Sequence, residues 1–245
     1  MVLGIDSKNI KWKFSDVIIA SILVFPLIIF IFYPVTLLLK VSSLHLFATG
    51  GGISTVDLVI SYVIQSFVMI GLICFFVFFK RKSNLSDLGF QPVNPLKTLL
   101  ISISCFILII ITNFIYGIVV FLISQNTGFK IPDSKILELL LKSDISVYVL
   151  IPIVVVIAPI IEESFFRGFI YAGLIKRVPK WAGMIISAAL FAAFHLEPYQ
   201  IVPLLFIGFI LTFVYDRTKS LVAPIIIHSL NNIFYVIIFY YIFSR

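Results

Sequence analysis

Charge is scarce in this chain. Asp, Glu, Lys and Arg make up 12% of its 245 residues, about half of the ~25% found in soluble domains. So few charged groups cannot coat a water-facing surface, which excludes an ordinary soluble globular protein. Cysteine is rarer, with only Cys74 and Cys105, both inside apolar stretches, so no disulfide framework is available. Histidine occurs three times. What fills the chain instead is apolar side chain, 61% of all residues with 26 phenylalanines. Apolar stretches of ~20 residues or more recur from end to end, enough for about seven or eight membrane spans and no separate soluble domain.

The fold expected is therefore all-α, a polytopic membrane helical bundle, because a backbone in lipid must satisfy its own hydrogen bonds. The apolar runs place spans at Val17 to Leu39, Val56 to Phe79, Thr98 to Ile123, Ser146 to Ile175, Ala182 to His195, Tyr199 to Tyr215 and Leu221 to Phe243. The fifth is too short to cross a ~30 Å core upright and reads as a half-span. The fourth is longer than a straight crossing needs, so it is expected to tilt, project, or bend near Pro152 and Pro159, and a break there would open a cavity beside Glu162. The first span reads as a retained anchor, since its apolar core is too long for a cleavable signal. Between spans, Lys80 to Lys97 is a polar linker with a Leu88-Gly89-Phe90 turn, and Lys135 to Leu140 forms a short amphipathic piece suited to the membrane surface.

A net charge of +7 would suggest nucleic acid in a soluble protein, but the placement of the cations explains it better. With seven alternating segments and a cytoplasmic N-terminus, the inner side receives Lys8, Lys11, Lys13, Lys80, Arg81, Lys82, Lys97, Lys176, Arg177, Lys180, Arg217 and Lys219. The outer side keeps Lys40, Lys130, Lys135, Lys142 and Arg245. The expected partner is the bilayer, and no nucleic acid.

Against this apolar background, Glu162, Glu163 and Arg167 stand out, because each charge at bilayer depth costs ~2.5 to 3.5 kcal/mol on insertion scales. At helical spacing Glu163 and Arg167 lie on one face and can pair, which assigns them to structure. Glu162 points about 100° away and has Phe166 as its fourth neighbour, so it is left for chemistry as a general base. Downstream, Phe191 shares a face with His195 and can hold its ring. His228 shares a face with Asn232, and the two could point jointly at one spot and stabilise an oxyanion. Asn231 is the rival amide but faces elsewhere, and Glu197 reads as an interfacial residue at the mouth. Taken alone, the acidic segment is equally compatible with a buried salt-bridge network that only packs helices together.

Glu-Glu-x-x-x-Arg at Glu162, Glu163 and Arg167, Phe-x-x-x-His at Phe191 and His195, and His-x-x-x-Asn at His228 and Asn232 resemble the three ordered motifs of the CPBP family. These are the CAAX proteases and bacteriocin-processing enzymes. The likeness covers about Ser146 to Asn232, which divides the chain into N-terminal helices, 1–145, and a core carrying the motifs, 146–245. The resemblance implies an Abi-type intramembrane endopeptidase in which Glu162 with His195 activates water and His228 with Asn232 stabilises the oxyanion. Glu163, Arg167 and Phe191 would support them. It implies no required cofactor as the first choice, since a His-Glu-x-x-His signature is absent and Asn is a poor zinc ligand. Zinc or another divalent metal, held by two histidines and a carboxylate, is the alternative. No Gly-x-Ser-Gly of rhomboid type or Gly-x-Gly-Asp of presenilin type is present.

The expected substrates are membrane-associated peptides or protein tails, either bacteriocin or signalling-peptide precursors or a CAAX-type tail, and the expected location is a bacterial plasma membrane. Two other functions compete. A small proton- or ion-coupled transporter would use Glu162, His195 and His228 as a relay, although the chain shows no second copy of the acidic segment such as an inverted repeat would give. A non-catalytic bacteriocin immunity or scaffold protein would keep the site without its catalysis.

Overall fold

With no water at bilayer depth to meet exposed N–H and C=O groups, apolar runs of this length wind into helices, and the chain does so throughout its described residues. The computed structural model describes residues 10–38, 55–127 and 151–243. These form α1 (Phe14–Leu38), α2 (Thr55–Ile73, continuing as π-helix over Cys74–Phe79), α3 (Pro95–Thr127), α4 (residues 151–174), α5 (Lys180–Phe194), α6 (Ile201–Thr218, entered through one 3-10 turn at Pro198–Gln200) and α7 (Val222–Phe243). No strand occurs among the described residues. The seven expected spans correspond to these seven helices, with α3 four residues longer at its C-terminal end than the apolar run suggested. The amphipathic piece at 135–140 and the first residues of the fourth span lie outside the described residues.

α1, α2, α3 and the stretch Pro198–Thr218 are long and apolar enough to cross a membrane, whereas Lys180–Phe194 and Val222–Ile238 are shorter apolar helices. The chain is an integral membrane protein built as an all-α bundle. α4 sits at its centre, against α2, α5, α6 and α7, and against α1 near its end. Phe165, Phe166, Phe169, Ile170 and Tyr171 of α4 are all buried. α3 instead buries only Thr98, Ser102 and Ile109 and turns rings such as Phe114 outward, as a helix facing lipid does.

One end of the bundle collects its polar ties. Asp16 at the start of α1 accepts from Lys80 Nζ (2.9 Å) and Arg81 Nε (2.8 Å) at the end of α2. Trp12 Nε1 donates to the Phe169 carbonyl (2.9 Å), and Lys176 Nζ donates to the carbonyls of Ile10 and Trp12. Gly173 allows this docking, since a Cβ there would collide with Val17 and crowd the Trp12 ring. The Leu88-Gly89-Phe90 turn is clamped at the same end. Tyr215 Oη donates to Leu88 O (2.9 Å) and Leu221 N to Gly89 O (2.8 Å). Gly89 has φ of +105°, and a Cβ on it would lie 2.6 Å from the Tyr215 ring, so both backbone and space require glycine.

Candidate active site

The site begins with a winding defect in α4. Pro159 carries no N–H, and Pro152 precedes the segment Ile153–Ile157, which widens into π-helix. Ala158 N–H therefore bonds to Ile153 O, and the next carbonyl, Val154 O, would look to residue 159 and find a proline. Asn232 Nδ2 on α7 donates to that carbonyl instead, at 2.9 Å. The expected bend at the prolines is thus taken up as a wider coil. One N–H of the amide is committed to the backbone of α4. A second π-helical stretch, Ser164–Tyr171, follows directly after the glutamates, an irregularity found often at functional sites.

Glu163 and Arg167 meet as their spacing indicated, with Arg167 Nη1 2.8 Å from Glu163 Oε1 and both side chains fully buried. Arg167 Nη2 also donates to Gly208 O on α6 (3.2 Å), and its guanidinium lies 4.5 Å from the Phe191 ring centroid, close enough for a cation–π contact. The pair does not neutralise itself in isolation, however, because His228 Nδ1 lies 2.8 Å from the same Glu163 oxygen. A carboxylate accepts, so Nδ1 is the protonated nitrogen and Nε2 is the one that faces outward from this contact. Glu163 is thereby an orienting group for a histidine, which helical spacing within α4 could not reveal.

Glu162 is 6% exposed. Its Oε2 is buried without a hydrogen-bond partner among the described residues and lies 3.9 Å from His228 Nε2. His228 Nε2 is thus an imidazole nitrogen within salt-bridge range of this carboxylate. His195 ends α5, where its Nδ1 donates to Phe191 O at 2.8 Å, leaving Nε2 without a hydrogen-bond partner among the described residues. Phe191 joins the two histidines, with ring centroids 4.5 Å from His195 and 5.6 Å from His228. Glu197 follows a left-handed turn at Leu196 (φ 53°). Burial pushes its carboxyl upward, and nearby His195 pulls it partway back.

Two groups that the motifs did not single out lie on helices that form or flank this cluster. Tyr62 is half-buried on α2, the helix that packs against Ala158–Glu163, and nothing in its surrounding sequence marks it. Asn231 is more buried than its neighbour Asn232, and its Oδ1 lacks a hydrogen-bond partner among the described residues. It does not share Asn232's tie to Val154. As for a metal, no three His, Cys, Asp or Glu side chains gather to hold one among the described residues. No step below runs through a metal.

All of the motif residues fall within 144–234, the stretch that matches a family described as type II CAAX prenyl endopeptidase, Rce1-like. Through this segment the chain is similar to that family. Over 82 residues it is 32% identical to the Bacillus subtilis (strain 168) protein named "Putative membrane peptidase YdiL", a stretch that is 34% of either chain. Over 80 residues it is 32% identical to "UPF0177 protein YxdF" of Lactococcus lactis subsp. lactis (strain IL1403), covering 32% of this chain and 44% of that one. The chain therefore spans about a third of the first and under half of the second of these relatives. No solved structure matches the chain.

Proposed function

We propose that the protein is an intramembrane endopeptidase that hydrolyses peptide bonds in membrane-associated peptides or protein tails. The single observation that carries this reading is Glu162 Oε2, a buried carboxylate oxygen left without a hydrogen-bond partner 3.9 Å from His228 Nε2. A polar gap of that width is one that a water can bridge. A structural salt bridge would have closed it, as the neighbouring Glu163 does with Arg167.

In the reaction, Glu162 takes a proton from the water, whose oxygen attacks the scissile carbonyl carbon. His195, through its Nε2, helps to hold that water. The carbonyl oxygen becomes negative and is met by His228 Nε2–H, when the ring carries both protons, and by the N–H of Asn232 not used on Val154. Collapse of the tetrahedral intermediate breaks the C–N bond, and Glu162 returns its proton to the leaving amine. General-base action of this kind contributes ~10²–10⁴-fold. Phe191, Glu163 and Arg167 keep the imidazoles in place. The substrates are precursors of bacteriocin or signalling peptides, or a CAAX-type tail, and the cation-bearing end of the bundle faces the cytoplasm of a bacterial cell.

The test is mass spectrometry of membrane-associated peptides from cells carrying wild type, Glu162→Ala or His195→Ala. A cleavage product present only with the wild type is expected and names the bond cut. Full production of it by either variant, correctly inserted, overturns the assignment.

A further inference from the structure

Several cations at the polar end of the bundle are matched by acids. Lys11 faces Asp87, Lys80 and Arg81 face Asp16, and Lys180 faces Asp216, at 2.8 or 2.9 Å. Lys13, Lys176 and Arg177 are not matched in this way, since none has a carboxylate within ion-pair range among the described residues. These three, with Phe14 and Ser15, line one open cavity of about 530 Å³, within the ~300–1,000 Å³ of ligand sites.

We propose that this cavity binds the headgroup of an anionic phospholipid. Its positive charge is not cancelled by the acid next in the chain, because Asp16 already accepts from Lys80, Arg81 and the Lys13 N–H. Its depth is that of a headgroup. Phe14 is the first residue of the membrane-crossing stretch Phe14–Val35, and Lys176 lies two residues past Leu174, the end of α4. The cavity therefore opens where the helices leave the hydrocarbon, the level at which basic pockets between transmembrane helices take up anionic headgroups.

The lining suits a phosphate attached to a lipid. Lys176 Nζ spends two of its three N–H groups on Ile10 O (2.7 Å) and Trp12 O (3.0 Å), which fixes the ammonium and leaves one hydrogen to give. Arg177 is exposed and brings a planar fork that matches phosphate oxygens. Lys13, on the opposite wall at the start of α1, adds a second ammonium, and Ser15 a hydroxyl. The half-buried Phe14 ring gives the same cavity an apolar side. A soluble anion has no use for that ring, whereas a lipid rests its glycerol and first methylenes on it. A headgroup seated here joins the start of α1 to the turn between α4 and α5, the two segments that Gly173 already allows to dock.

The experiment uses the full chain in detergent. Phosphatidylglycerol and phosphatidylcholine are supplied in equal amounts as probes, and native mass spectrometry counts the lipid retained. Wild type is expected to keep phosphatidylglycerol in preference, and equal retention of the two overturns the proposal. Lys13→Gln with Arg177→Gln is expected to weaken phosphatidylglycerol about 25-fold, at about fivefold for each cation near the surface. Phosphatidylcholine retention and the lipid-free unfolding temperature should stay as in wild type. Arg177→Gln alone, at an exposed position, gives the fivefold step without touching the start of α1. Lys82→Gln with Lys97→Gln removes the same charge outside the cavity and is expected to cost under about twofold. Undiminished affinity in the cavity variants overturns the proposal. So does an equal loss in the Lys82 and Lys97 control, which would make the whole positive end, and not the cavity, the lipid's partner. Excess inorganic phosphate is expected to leave the lipid in place, and displacement by it overturns the lipid assignment in favour of a soluble anion.

Discussion

The buried carboxylates at the end of the bundle and those at the level of Glu162 are treated in opposite ways. Asp16, 1% exposed, accepts from Lys80, Arg81 and the Lys13 N–H. Asp216, 4% exposed, accepts from Tyr171 Oη (2.9 Å) and Lys180 Nζ (2.8 Å). Each ion is met by a partly exposed lysine as well as a second donor. Deeper in, Glu162 Oε2, Glu163 Oε2 and Arg167 Nε all lack a hydrogen-bond partner among the described residues. Leaving a buried polar atom unpaired costs ~1–3 kcal/mol, and more for a charge. Among the charged groups of the described residues, that cost falls at the level of the motif glutamates, beside His228. Asp16, Asp216 and Glu163 tie helices together through close ion pairs, whereas Glu162 Oε2, without a hydrogen-bond partner among the described residues, is left available for chemistry.

This contrast can be broken most severely at Arg167. Arg167→Met strands Glu163 as an uncompensated buried charge and leaves His228 leaning on it, so a loss of ~3–5 kcal/mol is expected, read as a large fall in unfolding temperature in detergent. Retention of wild-type stability would show that the pair is not holding α4. A smaller effect is expected at the bundle end. Asp16→Asn removes the charge in the hydrogen bonds to Lys80 and Arg81, each such bond being worth ~1.5–3 kcal/mol, though the half-exposed Lys80 contributes less, and chemical denaturation should register the change with proteolytic activity preserved. The smallest effect sharpens the contrast. Glu162→Gln should shift stability by under ~0.5 to 1 kcal/mol, or raise it, while abolishing cleavage, because that carboxylate has few contacts to lose. A drop as large as that of Asp16→Asn would place Glu162 among the structural ions.

Much of the architecture was legible in the chain because membrane insertion leaves little choice. Runs such as Val56 to Phe79 have to be helices, and the described α2, Thr55–Ile73 with Cys74–Phe79, follows that run closely. The Glu163–Arg167 pair was legible for the same reason, since four residues on one helix is a fixed distance. Contacts between helices were not. The hydrogen bond of His228 to Glu163 joins residues 65 positions apart, and no periodicity relates them. The role of Asn232 was obscured by a subtler cause. Pro152 and Pro159 signalled an irregular helix, but not that the irregularity would be a widened turn with a carbonyl to spare.

That spare carbonyl has a mechanical meaning. A hydrogen missing from one helix is supplied by a carboxamide on another, so Pro159 and Asn232 work as a registration mark between α4 and α7. Slippage of α7 by even a single ~1.5 Å step would strand Val154 O where lipid offers no replacement donor. The imidazole one turn earlier on α7 is thereby kept level with Glu162, at a height set by a proline that never touches the chemistry.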